Sequence, residues 1–137
     1  MNLMIVDDHP RPRAMIRELL AAPDVTICEC VTGDEAVRRA GEFKPDWVTM
    51  DVRMPGINGF QAAAEILKVH PAACVVIVTA DVQPDFHPLA RSIGALGPVR
   101  KEECFVLRQM FARESRPPIS TPDVTSQPDL SLEQEAR

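Results

Sequence analysis

Asn2-Leu3-Met4-Ile5-Val6-Asp7-Asp8-His9-Pro10 sets the reading of the whole chain. The unbroken apolar run at residues 3–6 lacks the alternation of a half-exposed strand and fits one covered on both faces, as in parallel sheets. Two carboxylates follow at once, where such a strand would reach the surface. Pro10 and Pro12 suit the first turn of a helix, because early helical positions need no amide donor. Met15, Ile16, Leu19 and Leu20 then recur at helical spacing until Pro23 stops the pattern.

The strand–helix unit repeats. Residues 25–31 read as a second strand, interrupted by Thr26 and Glu29 and so suited to a sheet edge. Thr32-Gly33-Asp34 is a turn with a candidate N-cap, residues 35–43 suit a helix, and Lys44-Pro45-Asp46 breaks it. Trp47-Val48-Thr49-Met50 is a third strand that again ends in an acid, Asp51. Residues 54–59 form a loop by their turn residues, and Ala62, Ala63, Ile66, Leu67 and Val69 mark a helix closed by His70-Pro71. Residues 74–78 are the most β-branched run and predict a central strand ending at Thr79. Pro84 and Pro88 limit the fourth helix to a short piece at about residues 88–93. A short last strand leads to Lys101, and residues 102–113 predict a closing amphipathic helix through Phe105, Val106, Gln109 and Met110. Five strand–helix pairs with right-handed crossovers make an α/β, doubly wound parallel sheet with helices on both faces.

Residues 114–137 differ in character. Pro117, Pro118, Pro122 and Pro128 are scattered among Ser, Thr and acids, so this stretch is expected to be a disordered tail, with a transient helix at residues 130–136. The reading is therefore one domain at residues 1–113 and a tail.

Composition narrows the function. The 137 residues fit one domain, and 45% hydrophobic content supplies a core. A net charge of −5 provides no basic surface for nucleic acid or for an anionic membrane. With no signal peptide and no apolar run long enough to span a bilayer, a cytoplasmic protein without nucleic-acid or membrane partners is expected. Cys28, Cys30, Cys74 and Cys104 form no C-x-x-C pair and read as small buried hydrophobes.

The chemistry is carried by the strand ends. Asp7 and Asp8, Asp51, Thr79 and Lys101 end strands one, three, four and five, and so share one edge of the sheet. Three carboxylates this close repel one another, and a divalent cation relieves the repulsion; oxygen ligands point to Mg²⁺. Asp51 is then a carboxylate nucleophile toward phosphorus, with the Lys101 charge and the Thr79 hydroxyl on the phosphoryl oxygens.

Asp7-Asp8, Asp51-Val52-Arg53-Met54-Pro55-Gly56-Ile57-Asn58-Gly59, Thr79-Ala80, Gly94-Ala95 and Lys101 resemble, in order and spacing, the response-regulator receiver family of CheY-like proteins. The resemblance covers about residues 1–113. It implies a flavodoxin-like strand order 2-1-3-4-5 and Asp51 as phosphoacceptor. Asp8 and Asp51 would ligate Mg²⁺ directly, Asp7 through water, and the Arg53 backbone carbonyl would complete the protein ligands. It further implies a single-domain two-component response regulator rather than an enzyme, charged by a histidine kinase or a histidine phosphotransfer protein, catalysing its own phosphorylation and dephosphorylation, and signalling through protein contacts. Asp8-His9-Pro10 resembles the subgroup whose members often carry a helix-turn-helix output domain, and none is expected in residues 114–137.

Two positions depart from the family. Pro98 replaces the aromatic switch residue three positions before the Lys, and Glu102 replaces the proline after it. They motivate an alternative, a phosphorylation-independent adaptor that keeps the fold without the switch. A hydrolase working through an aspartyl-phosphate is disfavoured, because haloacid-dehalogenase-like phosphatases need an acid two residues after the nucleophile and Arg53 stands there. Arg53 and Asp81 are candidates for a mutual ion pair.

Overall fold

The computed structural model describes residues 1–113 and 129–132. Its elements are β1 (Asn2–Val6), α1 (Pro10–Leu20), β2 (Thr26–Cys30), α2 (Gly33–Phe43), β3 (Trp47–Asp51), α3 (Gly59–Val69), β4 (Cys74–Thr79), α4 (Phe86–Ile93), β5 (Leu96–Arg100) and α5 (Phe105–Arg113). The five strands form one sheet in the order β2-β1-β3-β4-β5, all parallel, as expected.

Position in the sheet follows composition. β3 and β4 are buried at every residue and β1 at all but its first, whereas the interrupted β2 and the Gly-Pro-containing β5 are partly exposed edges. A proline is tolerated on an edge strand because no outer neighbour needs its missing amide. The Gly97–Pro98 peptide is cis, and the β4–β5 register shifts between Val76 and Val78. Gly97 has φ +96°, and a Cβ there would meet the Ile77 carbonyl oxygen at 2.6 Å, so only glycine fits.

Two apolar layers sandwich the sheet. On one face, Ala36 and Ala40 of α2, Phe60, Ala63 and Ile66 of α3, and Phe86 and Ala90 of α4 cover Met4, Val48, Met50 and Ile77. On the other, Ile16 and Leu20 of α1 and Leu107 of α5 cover Leu3, Ile5, Val76 and Val78. Trp47 belongs to this second layer, edge-on to Phe111 with centroids 5.1 Å apart, and is a packing residue. All four cysteines are free and buried. Burial first, then the neighbouring Cys28 and Glu35, pushes the Cys30 thiol up to about 12, which keeps it protonated and unreactive.

Three expectations are corrected. α4 starts at Phe86 rather than Pro88, because Pro88 falls in the first turn, where a missing amide costs no bond. His87, whose place beside Pro88 predicts a loop, consequently sits in a helix. At the end of the sheet, Lys101–Glu103 form a 3₁₀ turn before α5. The buried seam there runs through Cys104 and Leu107 with Met110 and Phe111 behind, leaving Phe105 58% exposed.

The expected disorder of residues 114–137 falls mostly outside the described residues. Residues 129–132 are described, and they form neither helix nor strand, with Leu130 and Leu132 packed against the first apolar layer. No helix among the described residues is long and apolar enough to cross a membrane.

Candidate functional site

Parallel strands deliver their last residues to one edge, and the acids collect there. Asp7 follows β1, held by its amide bond to the Cys30 carbonyl (3.0 Å) and by Arg13 Nη1 on its own carbonyl (2.9 Å). Asp51 ends β3 opposite Val78 of β4, so Thr79 stands one residue further along the adjacent strand. Asp7, Asp51 and Thr79 are 1%, 4% and 3% exposed, unusual for such groups unless they are partnered.

Lys101 is that partner for two of them. Its Nζ lies 2.9 Å from Asp7 Oδ2 and 3.2 Å from Asp51 Oδ1. Burial works against the ammonium, but the bonds and charges of Asp7 and Asp51 outweigh it and raise its pKa. Asp51 is pushed up to about 6 by burial first and then by the Asp7 charge, with Lys101 and the Val52 amide acting in the opposite direction.

Ligand atoms of Asp7, Asp8, His9 and Asp51 all lie within 4.8 Å of one another. Asp51 Oδ2 is buried with no hydrogen-bond partner among the described residues, as is Asp8 Oδ1 apart from the His9 ring nitrogen 3.1 Å away. Buried carboxylate oxygens are not normally left this way. With all three acids ionised, one ammonium faces three carboxylates and two negative charges are uncompensated. Hard oxygen donors with that residual charge fit a divalent cation such as Mg²⁺.

The remaining residues read from the sequence are placed less centrally. The Thr79 hydroxyl is engaged with the Asp81 backbone, 3.3 Å from its amide and 3.4 Å from its carbonyl. The Arg53 guanidinium lies over the Phe86 ring, 5.6 Å from its centroid, while the Asp81 carboxylate accepts from Gln83 Nε2 at 2.8 Å.

Two parts of the quoted motifs make contacts that the sequence does not announce. His9, at the N-terminus of α1, donates its amide to Asp7 Oδ1 (2.9 Å) and fixes that carboxylate. The start of α3 is locked onto β3: Asn58 and Gln61 form a reciprocal capping box, and the Gly59 amide bonds the Val52 carbonyl at 2.8 Å. A Cβ at Gly59 would overlap the Asp51 carbonyl oxygen. Gly59→Ala is therefore expected to lower stability by about 2 kcal/mol in urea denaturation, as overpacking against main chain does, and to displace Asp51. An unchanged midpoint would show that the loop yields freely.

Comparison with known proteins agrees with this geometry. The family model described as response regulator receiver domain matches residues 3–111. The response regulator GacA of Pseudomonas viridiflava is 37% identical over 102 residues, covering 73% of this chain and 48% of that protein. The DNA-binding transcriptional activator EvgA of Escherichia coli K12 is 38% identical over 104 residues, covering 75% and 51%. The chain thus spans about half the length of these curated relatives. Among solved structures, a LuxR-family two-component response regulator from Aurantimonas sp. SI85-9A1 superposes with TM-score 0.71 at 32% identity, over 82% of this chain and 83% of that one. The expectation of no nucleic-acid partner is withdrawn: relatives sharing this domain include a DNA-binding activator, and the acidic charge describes only the residues of this chain.

Proposed function

The chain belongs to the response regulator receiver domain family, and on that premise we propose that Asp51 accepts a phosphoryl group from a phosphohistidine of a kinase or phosphotransfer protein. The observation that carries the proposal is the buried Asp51 oxygen that has no hydrogen-bond partner among the described residues, set among Asp7, Asp8 and Lys101. A carboxylate oxygen of Asp51 forms the new bond to phosphorus as the bond from phosphorus to the imidazole nitrogen breaks, its electron pair returning to the ring. Lys101, paired with Asp51 at 3.2 Å, would follow the charge from the carboxylate to a phosphoryl oxygen. Asp7, Asp8, Asp51 and the Arg53 carbonyl are the groups that would hold Mg²⁺, which when bound neutralises phosphoryl charge. Self-catalysed loss of the phosphoryl group, by water attack on the acyl phosphate, completes the cycle.

A small phosphodonor such as acetyl phosphate, added with Mg²⁺, is expected to label the protein with a hydroxylamine-sensitive phosphate, and Asp51→Asn to take up none. Equal labelling of the variant sinks the assignment.

Pro98 and Glu102 favour a second reading, the adaptor that binds partners regardless of phosphorylation, because a proline ring on β5 has no side-chain swing to offer. Under the main reading the moving part is the Thr79 hydroxyl, which must leave the Asp81 backbone to reach a phosphoryl oxygen. Beryllofluoride with Mg²⁺ is therefore expected to shift amide resonances from residue 79 through α4 and β5. Shifts confined to the neighbours of Asp51 would favour the adaptor.

A further inference from the structure

Residues 129–132 do not follow α5 in space. α5 packs on the face covered by α1, whereas Leu130 and Leu132 pack on the opposite layer, beside α3. Residues 114–128 are ample contour length for that passage.

The contact is organised on both sides. Exposure alternates along the segment: Leu130 and Leu132 are half-buried, Asp129 and Ser131 exposed, so both leucines turn to the same side. Asp129 Oδ1 accepts from the Ser131 amide (3.0 Å) and hydroxyl (2.6 Å), which shapes the segment locally. On the receiver side, Asn58 Nδ2 donates to the Leu130 carbonyl at 2.9 Å. Asn58 uses its other side-chain atom to cap α3, so one residue ties the segment to the helix start that is locked onto Asp51. Ser131 and Leu132 share a cleft with Arg53, Met54 and Gly56, the loop that leads away from the phosphoacceptor.

We propose that the β3–α3 loop and the first turn of α3 are a docking surface for this chain's own Asp129–Leu132 segment, and that the docked segment obstructs the approach of phosphodonors to Asp51. The second half of the proposal rests on Asp51 being the acceptor. Apolar burial of two leucines and one backbone bond is a modest contact, suited to a cover that leaves readily. Tethering sustains it by keeping the local concentration of the segment high.

Two variants of the full chain test it. Leu130→Asp/Leu132→Asp removes the apolar contact at two half-buried positions outside the receiver core. Asn58→Ser keeps an N-cap oxygen but is too short to reach the Leu130 carbonyl. Both are expected to raise amide hydrogen exchange across residues 53–61 and to speed labelling by acetyl phosphate. A gain of about threefold corresponds to an undocked fraction of about a third in the wild type. Unchanged exchange in both variants overturns the docking. Raised exchange with unchanged or slower labelling overturns the obstruction. Exchange protection that weakens on dilution of the wild type assigns the contact to a second copy and overturns an intramolecular cover. A wild type that takes no label refutes the acceptor reading instead, which the exchange data do not touch.

Discussion

Without Mg²⁺ at pH 8, Lys101→Met is expected to be about 3 kcal/mol less stable than the wild type, the low end of the cost of removing one partner from a buried ion pair. Lys101 is 14% exposed and serves two carboxylates at once, Asp7 at 2.9 Å and Asp51 at 3.2 Å. The methionine fills the space of the aliphatic stem, so the loss is one of charge rather than of packing. It leaves Asp7 and Asp51 buried and facing each other with no cation between them. The loss is expected to shrink as pH falls: losing the ammonium raises Asp51 above the value of about 6 it holds beside Lys101, so a proton enters and removes the repulsion. Mg²⁺ at pH 8 is expected to restore much of the stability, since a divalent ion supplies the missing positive charge. Urea denaturation at pH 8 and pH 5, with chelator and with Mg²⁺, separates these effects. A loss below about 1 kcal/mol at pH 8 would place Lys101 among ordinary solvated salt bridges.

What was legible in the sequence follows from where burial acts on both sides of the chain. The runs ending at Asp7, Asp51 and Thr79 are apolar because β1, β3 and β4 are interior strands, so their carboxyl-end residues were forced onto one edge. That alone brought the acids together, and register alone placed Thr79 beside Asp51. Boundaries set by local choices were less legible. Pro88 reads as a helix start, but as a third helical residue it is equally unhindered, and the burial of Phe86 against Phe60 (5.2 Å) decides for the longer helix. Phe105 has the composition of a core residue and the position of a surface one, because the 3₁₀ turn after Lys101 rotates the start of α5. Least legible were the contacts that need two distant partners. Asn58 has the signature of an N-cap, and nothing in its neighbourhood of sequence announces that its amide also binds the Leu130 carbonyl. Tail composition argued for disorder on average, which says nothing of two leucines spaced to present one face.

Asp51→Asn carries the opposite sign from Lys101→Met. In the folded protein the Asp51 carboxyl titrates near 6 against an ordinary value of 3.8. Below the ordinary value both folded and unfolded chains hold the proton and the residue contributes no penalty. Between about 4 and 6 the unfolded chain has released it while the fold retains it, so stability falls as pH rises. Above about 6 the fold bears the full cost of the buried charge, about 3 kcal/mol for a shift of this size. Asparagine is close in shape and never ionises. The metal-free variant is thus expected to match the wild type near pH 3.5 and to exceed it by about 2–3 kcal/mol at pH 7.5. Taking the difference between the two proteins cancels the titration of the shared groups that lie away from residue 51. Saturating Mg²⁺ acts only through the state that binds it, and is expected to stabilise the wild type more than the variant and so close the gap. A pH-independent difference would mean that Asp51 is well solvated or fully neutralised by Lys101. The two substitutions together then locate the strain: if removing the negative charge stabilises and removing the positive charge destabilises, the protein folds against the buried charge of Asp51, and a cation bound there would relieve an electrostatic cost already present without it.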